Sequence, residues 1–238
     1  MAKIRLDIYL ASKRLVASRS QAESWIKLGK VRVDGVVIKK SGHFVSPSNR
    51  VQLLASELYV SRAGLKLASV AALLKLDFRD KTVLDVGSST GGFTDYALQH
   101  GAKKVFAVDV GTEQLHPSLR RNRKIELYEK TDIRDFTPSE PADIVVMDVS
   151  FISLREILPH IARITTPSTQ IVAMLKPQFE AGRAQVNKGV IKNDSVRRQI
   201  LKDFELWAKQ YFVITDKRDS DVAGAKGNQE RFYLLQKL

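Results

Sequence analysis

Four charged residues stand where this 238-residue chain could move a proton: Lys66, Asp148, Lys176 and Glu230. Lys66 lies in Tyr59-Val60-Ser61-Arg62-Ala63-Gly64-Leu65-Lys66-Leu67, one helical turn after Arg62. Asp148 closes the apolar run Val145-Val146-Met147, Lys176 follows Ile171–Leu175 and precedes Pro177, and Glu230 opens Arg231-Phe232. A lysine held neutral by burial and by its neighbours accepts a proton from a weak acid such as a hydroxyl. Two lysines close together would depress each other's pKa, and the two carboxylates would orient them and oppose that depression; the sequence leaves the balance open. Singly, each lysine reads equally as a solvated charge and Asp148 as a strand-end carboxylate. The order of all four favours a site.

A second constellation surrounds glycines. Val83-Leu84-Asp85-Val86 runs into Gly87-Ser88-Ser89-Thr90-Gly91-Gly92-Phe93-Thr94, a turn in which glycines allow sharp bending and close approach to a ligand. Asp109 ends the next apolar run, where a carboxylate can accept both hydrogen bonds of a ribose diol, and Asp132 ends a third unit. These features fit any Rossmann-like nucleotide binder. The spacing G-x-G-x-x-G is absent, because three non-glycines separate Gly87 from Gly91, and there is no phosphate-loop lysine.

The elements that must carry these residues follow from periodicity. Strands are predicted at Thr82–Val86, Val105–Val110, Ile125–Tyr128, Ile144–Asp148, Ile171–Leu175, Phe212–Thr215 and Arg231–Gln236, with amphipathic helices at 62–76, 93–100, 153–163 and 195–209. Alternating apolar strands and helices imply an α/β domain, a parallel sheet covered on both faces, and the last two strands read as an antiparallel hairpin. The connection from Gln178 to Asp194 is long for a strand-to-helix loop, and its Phe179, Arg183 and Lys188 are candidates to stack on and grip RNA. His43, His100, His116 and His160 are scattered and read as surface or packing residues.

Residues 1–59 have another grammar: two short helices with stripes Leu6, Leu10, Leu15 and Ala22, Trp25, Ile26, Leu28, then the hairpin Val31-Arg32-Val33, Asp34-Gly35, Val36-Val37-Ile38. Ser20 and Glu23 have capping-box spacing and Gly29 is a natural stop. Arg5, Lys13, Arg14, Arg19, Lys27, Lys30 and Arg32 are threaded through these elements. RLDIYL at 5–10 and SRSQAESWIKLGKVRVDG at 18–35 resemble the small α+β RNA-binding domain named after small-subunit ribosomal protein four.

The form D-x-G-x-x-x-G-G resembles the first motif of S-adenosylmethionine-dependent methyltransferases, and Lys-Asp-Lys-Glu in this order resembles the tetrad of the FtsJ-type RNA ribose methyltransferases. With YVSRAGLKL, MDVSFIS, LKPQFE and GVIKND, the whole chain resembles the TlyA family, often labelled haemolysin. The resemblance implies a Rossmann-like methyltransferase sheet behind a small RNA-binding domain, with a boundary near Ser56–Tyr59 dividing 1–59 from 60–238. It implies S-adenosylmethionine as cofactor, with the amino-acid end cradled by Asp85, Gly87, Ser89, Thr90, Gly91, Gly92 and Phe93, Asp109 holding the ribose and Asp132 approaching the adenine. The implied reaction is 2′-O-methylation of a cytidine ribose in ribosomal RNA, with Lys66, Asp148, Lys176 and Glu230 as the tetrad. No metal is needed, and Arg62 joins the basic residues expected on RNA.

Composition bounds these readings. The chain carries 39 Lys and Arg against 26 Asp and Glu, and residues 1–59 alone hold 11 basic and 4 acidic side chains. A quarter of the chain thus carries over half of the +13 excess, as suits a partner with a phosphate backbone. The absence of cysteine excludes disulfides, thiolate metal sites and cysteine nucleophiles, and suits a cytoplasmic protein. The charged opening MAKIRLDIYLASKR does not read as a signal peptide, and no apolar run approaches the ~18 residues of a membrane span. Two other classes remain, a non-catalytic ribosome assembly factor and a membrane-active haemolysin. The two parts are expected to have separate cores, with few contacts across the linker.

Overall fold

The computed structural model describes residues 3–16, 19–27, 29–54, 59–182, 189–191, 193–224 and 227–238. The first part comprises β1 (Ile4–Arg5), α1 (Leu6–Ser12), α2 (Arg19–Lys27), β2 (Val31–Val33), β3 (Val36–Val37), β4 (Phe44–Val45) and β5 (Val51–Leu53). β2 pairs antiparallel with both β3 and β5, and β1 with β4. Asp34 and Gly35 have φ of 50° and 83°, the positive pair that a two-residue hairpin turn requires. Along β2, Val31 and Val33 are buried and Arg32 faces solvent, the period of two expected of a half-buried strand. Two readings shift here. α2 begins at Arg19, so Ser20 falls inside its first turn rather than ahead of it, and α1 stops at Ser12, which leaves Leu15 beyond the helix. Leu28 lies outside the described residues.

The second part runs α3 (Arg62–Ala71), β6 (Thr82–Val86), α4 (Gly92–Gln99), β7 (Lys104–Val108), β8 (Ile125–Tyr128), β9 (Ile144–Met147), α5 (Leu154–Ile164), β10 (Gln170–Leu175), α6 (Pro177–Glu180), α7 (Asp194–Ala208), β11 (Phe212–Asp219) and β12 (Arg231–Lys237). α3 is shorter than its apolar pattern, because Lys75 takes φ 54° and the Leu76 N–H turns back to the Ala71 carbonyl. β11 is longer than expected and reaches Asp219 through a bulge between Ile214 and Asp216.

The seven strands lie in the order β11-β12-β10-β9-β6-β7-β8. β8, β7, β6, β9 and β10 are parallel, and β12 enters antiparallel between β10 and β11. Strand order reverses between β6 and β9, so the crevice opens beyond their carboxyl ends. Alternate strand residues fill the two faces. Val83, Val105, Ile144, Val146, Val172 and Phe232 pack with α3 and α4, while Leu84, Phe106, Val145, Met147, Leu175 and Tyr233 pack with α5 and α7.

The expectation of two separate cores is corrected. One cluster of buried side chains runs from Leu6, Leu10, Trp25 and Ile26 through Tyr59 into Leu65 and Val70, and the Gln21 side-chain amide donates to the Tyr59 carbonyl at 2.7 Å. Each such buried apolar side chain contributes about 1.5–3 kcal/mol, so the first part is docked on α3 and not merely tethered to it.

Candidate active site

Sheet register brings the four charged residues to one end of the sheet. Val86 pairs with Met147, so Gly87 and Asp148 are the next positions on β6 and β9. Leu175 pairs with Arg231, so Lys176 and Glu230 are the next positions on β10 and β12. Lys176 Nζ lies 2.7 Å from Asp148 Oδ1 and donates to Ser150 Oγ at 2.6 Å. Lys66 Nζ lies 2.5 Å from Glu230 Oε2, with both side chains almost fully buried. Gly224 packs against Glu230 Oε1 with no room for a Cβ, and its N–H bonds the Asn228 carbonyl, which holds the approach to Glu230 in a tight turn. The Asn228 side chain bonds Ile191 N and Gly189 O, fastening that turn to the end of the long loop after β10.

Beside these pairs lies a cleft of about 340 Å³, walled by Gly87, Ser89, Asp109, Asp132, Asp148 and Phe151 among others. A smaller cavity of about 140 Å³ shares Gly87, Ser89, Asp148 and Ser150 with it and adds Ala63, Asp85, Thr90, Phe93 and Lys176. Asp109 spans the turn: its Oδ2 accepts from Ser89 N at 2.8 Å and its Oδ1 from Gly111 N at 2.7 Å. A carboxylate has about four acceptor sites, so two remain for a ligand diol. Asp85 is buried, with Thr94 Oγ1 donating to its Oδ2 at 2.6 Å. Burial, reinforced by the charges of Asp148 and Asp109, pushes its carboxyl up to about 7. Asp85 Oδ1 and Ser88 Oγ are buried with no hydrogen-bond partner among the described residues. A cavity with an unmet acceptor on its wall suits a ligand carrying a cationic donor. Asp132 is clasped by Arg134 through both carboxylate oxygens, which holds it below the usual carboxylate range.

The glycines divide by role. Gly87 and Gly91 take φ of 77° and 87°, where a side chain is strained. A Cβ on Gly91 would strike Leu115 and Leu119, and one on Gly92 would strike Ser61 Oγ, Ala63 and the Gly64 backbone. Gly92 therefore admits α3 against α4, and neither it nor Gly91 lines the two cavities.

Two residues at the mouth escaped the sequence. Phe151 takes φ 67° and is 91 % exposed, with its ring 5.2 Å from that of Phe179. Such a conformation in a bulky residue is costly and persists where surrounding structure enforces it. Ser150 sits on both cavity walls and holds Lys176. A run of small and apolar letters after Asp148 gave no sign of either.

The basic residues differ from one another. Arg5 and Arg19 clamp the buried Asp7, at 2.9 and 2.7 Å from its Oδ2, and hold that carboxyl near 2 against the opposing effect of burial. Their charge is largely matched inside the fold. Arg14, with φ 54°, is exposed, as are Lys27, Lys30 and Arg32. Lys13 lies over the Tyr9 ring, and Arg62 opens α3 half-buried. Arg183 and Lys188 lie outside the described residues. Among the described residues no helix is long and apolar enough to cross a membrane.

A doubly wound sheet with an antiparallel strand inserted near one edge, a glycine turn at the strand-order reversal and an acid after the next strand define a nucleotide-cofactor α/β enzyme. Comparison with known proteins makes this specific. Residues 59–237 match the FtsJ-like methyltransferase model and residues 4–51 the S4 domain. The chain belongs to the FtsJ-like methyltransferase family, in the TlyA arrangement of an S4 domain ahead of the methyltransferase. The 23S rRNA (cytidine-2'-O)-methyltransferase TlyA of Campylobacter jejuni is 37% identical over 97% of this chain and 98% of its own length. Hemolysin A of Brachyspira hyodysenteriae is 37% identical over 95% and 97%. A solved structure from Streptococcus thermophilus with a hemolysin label superposes with a TM-score of 0.73 at 37% identity, covering 100% of this chain and 89% of the other.

Proposed function

We propose that this chain methylates the 2′-hydroxyl of a ribose, a cytidine ribose, in ribosomal RNA, with S-adenosylmethionine as methyl donor. The observation that carries the reading is the pairing of Lys176, on the wall of the smaller cavity, with Asp148, which lines both cavities. Asp109 would hold the cofactor ribose, Asp132 would lie toward the adenine, and the unmet oxygen of Asp85 would take the ammonium of the amino-acid end, with Gly87, Ser89, Thr90 and Phe93 forming the turn around it. When bound, that cofactor supplies a sulfonium methyl group already activated for transfer to oxygen.

The chain's own residues then have one task, to ready the hydroxyl. Lys176 would accept its proton, steered by Asp148, while Lys66 and Glu230 fix the far side of the site. Phe151 and Phe179 offer an apolar step at the mouth for a base, and Arg62, Arg183 and Lys188 would meet the phosphates. Residues 1–59, through Arg14, Lys27, Lys30 and Arg32, would supply sequence-independent phosphate grip, and residues 60–238 the chemistry. Arg5 and Arg19 would contribute less, since Asp7 already holds them. The curated relatives named as rRNA cytidine-2′-O-methyltransferases support the substrate class, and action on ribosomes would be cytoplasmic work.

The decisive assay incubates the protein with labelled S-adenosylmethionine and, separately, free rRNA, each ribosomal subunit and whole ribosomes. Labelled alkali-resistant dinucleotides are expected, because 2′-O-methylation blocks cleavage of the adjoining phosphodiester. Label confined to bases, or to protein, would overturn the reading.

A further inference from the structure

We propose that Ser150 is a positioning residue that fixes the direction in which the Lys176 amine presents its lone pair; this rests on Lys176 acting as the base. A neutral amine has two N–H bonds and one lone pair at tetrahedral angles. Ser150 Oγ at 2.6 Å accepts one N–H bond, and Asp148 Oδ1 at 2.7 Å draws a second toward it by charge, without hydrogen-bond geometry. With one N–H held by Ser150 and another drawn toward Asp148, the lone pair takes the remaining direction, and Lys176 itself lines the smaller cavity that Asp148 and Ser150 also wall. The substrate proton then has one route: its O–H bond breaks and a third N–H bond forms at Nζ, with the hydrogen bond to Ser150 and the ion pair with Asp148 undisturbed.

Asp148 alone does not fix this direction. Its contact with Lys176 is a pairing of charges that fixes no N–H direction, so rotation about the last side-chain bond is free to send the lone pair elsewhere. Ser150 removes that freedom. It sits two residues from Asp148 and directly before Phe151, so the loop after β9 carries the carboxylate, the second acceptor and the exposed ring in succession. That loop is anchored from β10's side, because Glu180 accepts from Ser153 Oγ at 2.6 Å and from Leu154 N at 2.7 Å. Asp148 after β9 pairs with Lys176, and Asp85 on β6 lines the same small cavity. Ser150 is the uncharged member of the set, and its loss leaves the charges in place.

The test compares Ser150→Ala, Ser150→Thr and Lys176→Ala in the full chain, with bacterial ribosomal subunits as methyl acceptor. Ser150→Ala is expected to lower kcat by about 10- to 100-fold, the usual cost of losing orientation at a reacting group. Its KM for subunits and its calorimetric affinity for S-adenosylmethionine should stay within about twofold of the parent. Ser150→Thr, which keeps the hydroxyl, should recover most of the rate. A Ser150→Ala enzyme with parental kcat beside an inactive Lys176→Ala overturns the proposal and leaves the base intact. Turnover retained by Lys176→Ala overturns both.

Discussion

Asp85 should make the empty protein less stable as pH rises, and Asp85→Asn should abolish that dependence. The carboxyl is fully buried at the end of β6, and one oxygen has no partner among the described residues. Burial first, then the neighbouring charges of Asp148 and Asp109, raise it from the ordinary 3.8 to about 7. Below about pH 4 both folded and unfolded chains carry the proton, and Asp85 costs nothing. Between about pH 4 and 7 the unfolded chain has lost the proton and the folded chain keeps it, so stability falls by about 1.4 kcal/mol per pH unit. Above 7 both forms are ionised, the slope vanishes, and the accumulated loss is of order 4 kcal/mol. Urea unfolding of the parent and Asp85→Asn at pH 5, 6, 7 and 8 isolates the effect. The difference between the two proteins should widen from 5 to 7 and then stay constant. Because the comparison is of slopes, any fixed cost of placing an amide in the site drops out. The same titration should appear in cofactor binding: below pH 7 the parent should release a proton on taking up S-adenosylmethionine, and its affinity should rise up to about tenfold per pH unit. Asp85→Asn should do neither and should bind about 2 kcal/mol more weakly. Parallel pH profiles for the two proteins would falsify the assignment of a raised Asp85.

Lys176→Ala should abolish methyl transfer while calorimetry finds cofactor affinity nearly intact, since its partners are Asp148 and Ser150; a large loss of affinity would move the lysine to the cofactor. Replacing Lys27, Lys30 and Arg32 together by Gln should flatten the log–log salt dependence of RNA binding by roughly 2 to 3, at about 0.7–0.9 per lost phosphate contact. Arg5→Gln should instead lower melting temperature more than it changes that slope, because its partner is the buried Asp7; filter binding at several salt concentrations and a thermal melt separate the two. Gly92→Ala should destabilise by about 1–3 kcal/mol through overpacking on Ser61, Ala63 and the Gly64 backbone, read by chemical denaturation.

The sheet was largely legible because its signals are local. Strand runs such as Ile144–Met147 and Ile171–Leu175 are apolar on both faces, and a sharp glycine turn follows the first of the parallel set. The order of Lys66, Asp148, Lys176 and Glu230 placed three of them at strand ends. Which lysine meets which carboxylate was not readable, since that depends on an antiparallel β12 entering beside β10. Arg5 and Arg19 looked like free charges because Asp7, at the start of a helix, looks solvated; its burial is created by packing of α1 on α2. Gly92 read as part of a cofactor turn, yet its missing side chain serves α3, a partner some thirty positions earlier in the chain. The left-handed backbone of Phe151 has no local signal at all, since aromatic residues avoid it. The join between the two parts was hidden in the same way, for Gln21 and Tyr59 are far apart in sequence.

The close crossing of Gly64 over Gly92 makes a fulcrum. Helix α3 meets α4 there backbone to backbone, with the Ser61 and Ala63 side chains packed tightly around the crossing. Any tilt of α3, driven from the S4 domain docked at its start, must therefore turn about that point. Lys66 lies two residues beyond it, about 3 Å along the axis, whereas Ala71 lies about 10 Å away. A tilt of about 5° would carry Ala71 by about 0.9 Å but Lys66 by only about 0.3 Å. A tilt at the front of the helix is therefore felt least in the backbone of Lys66, the residue paired with Glu230.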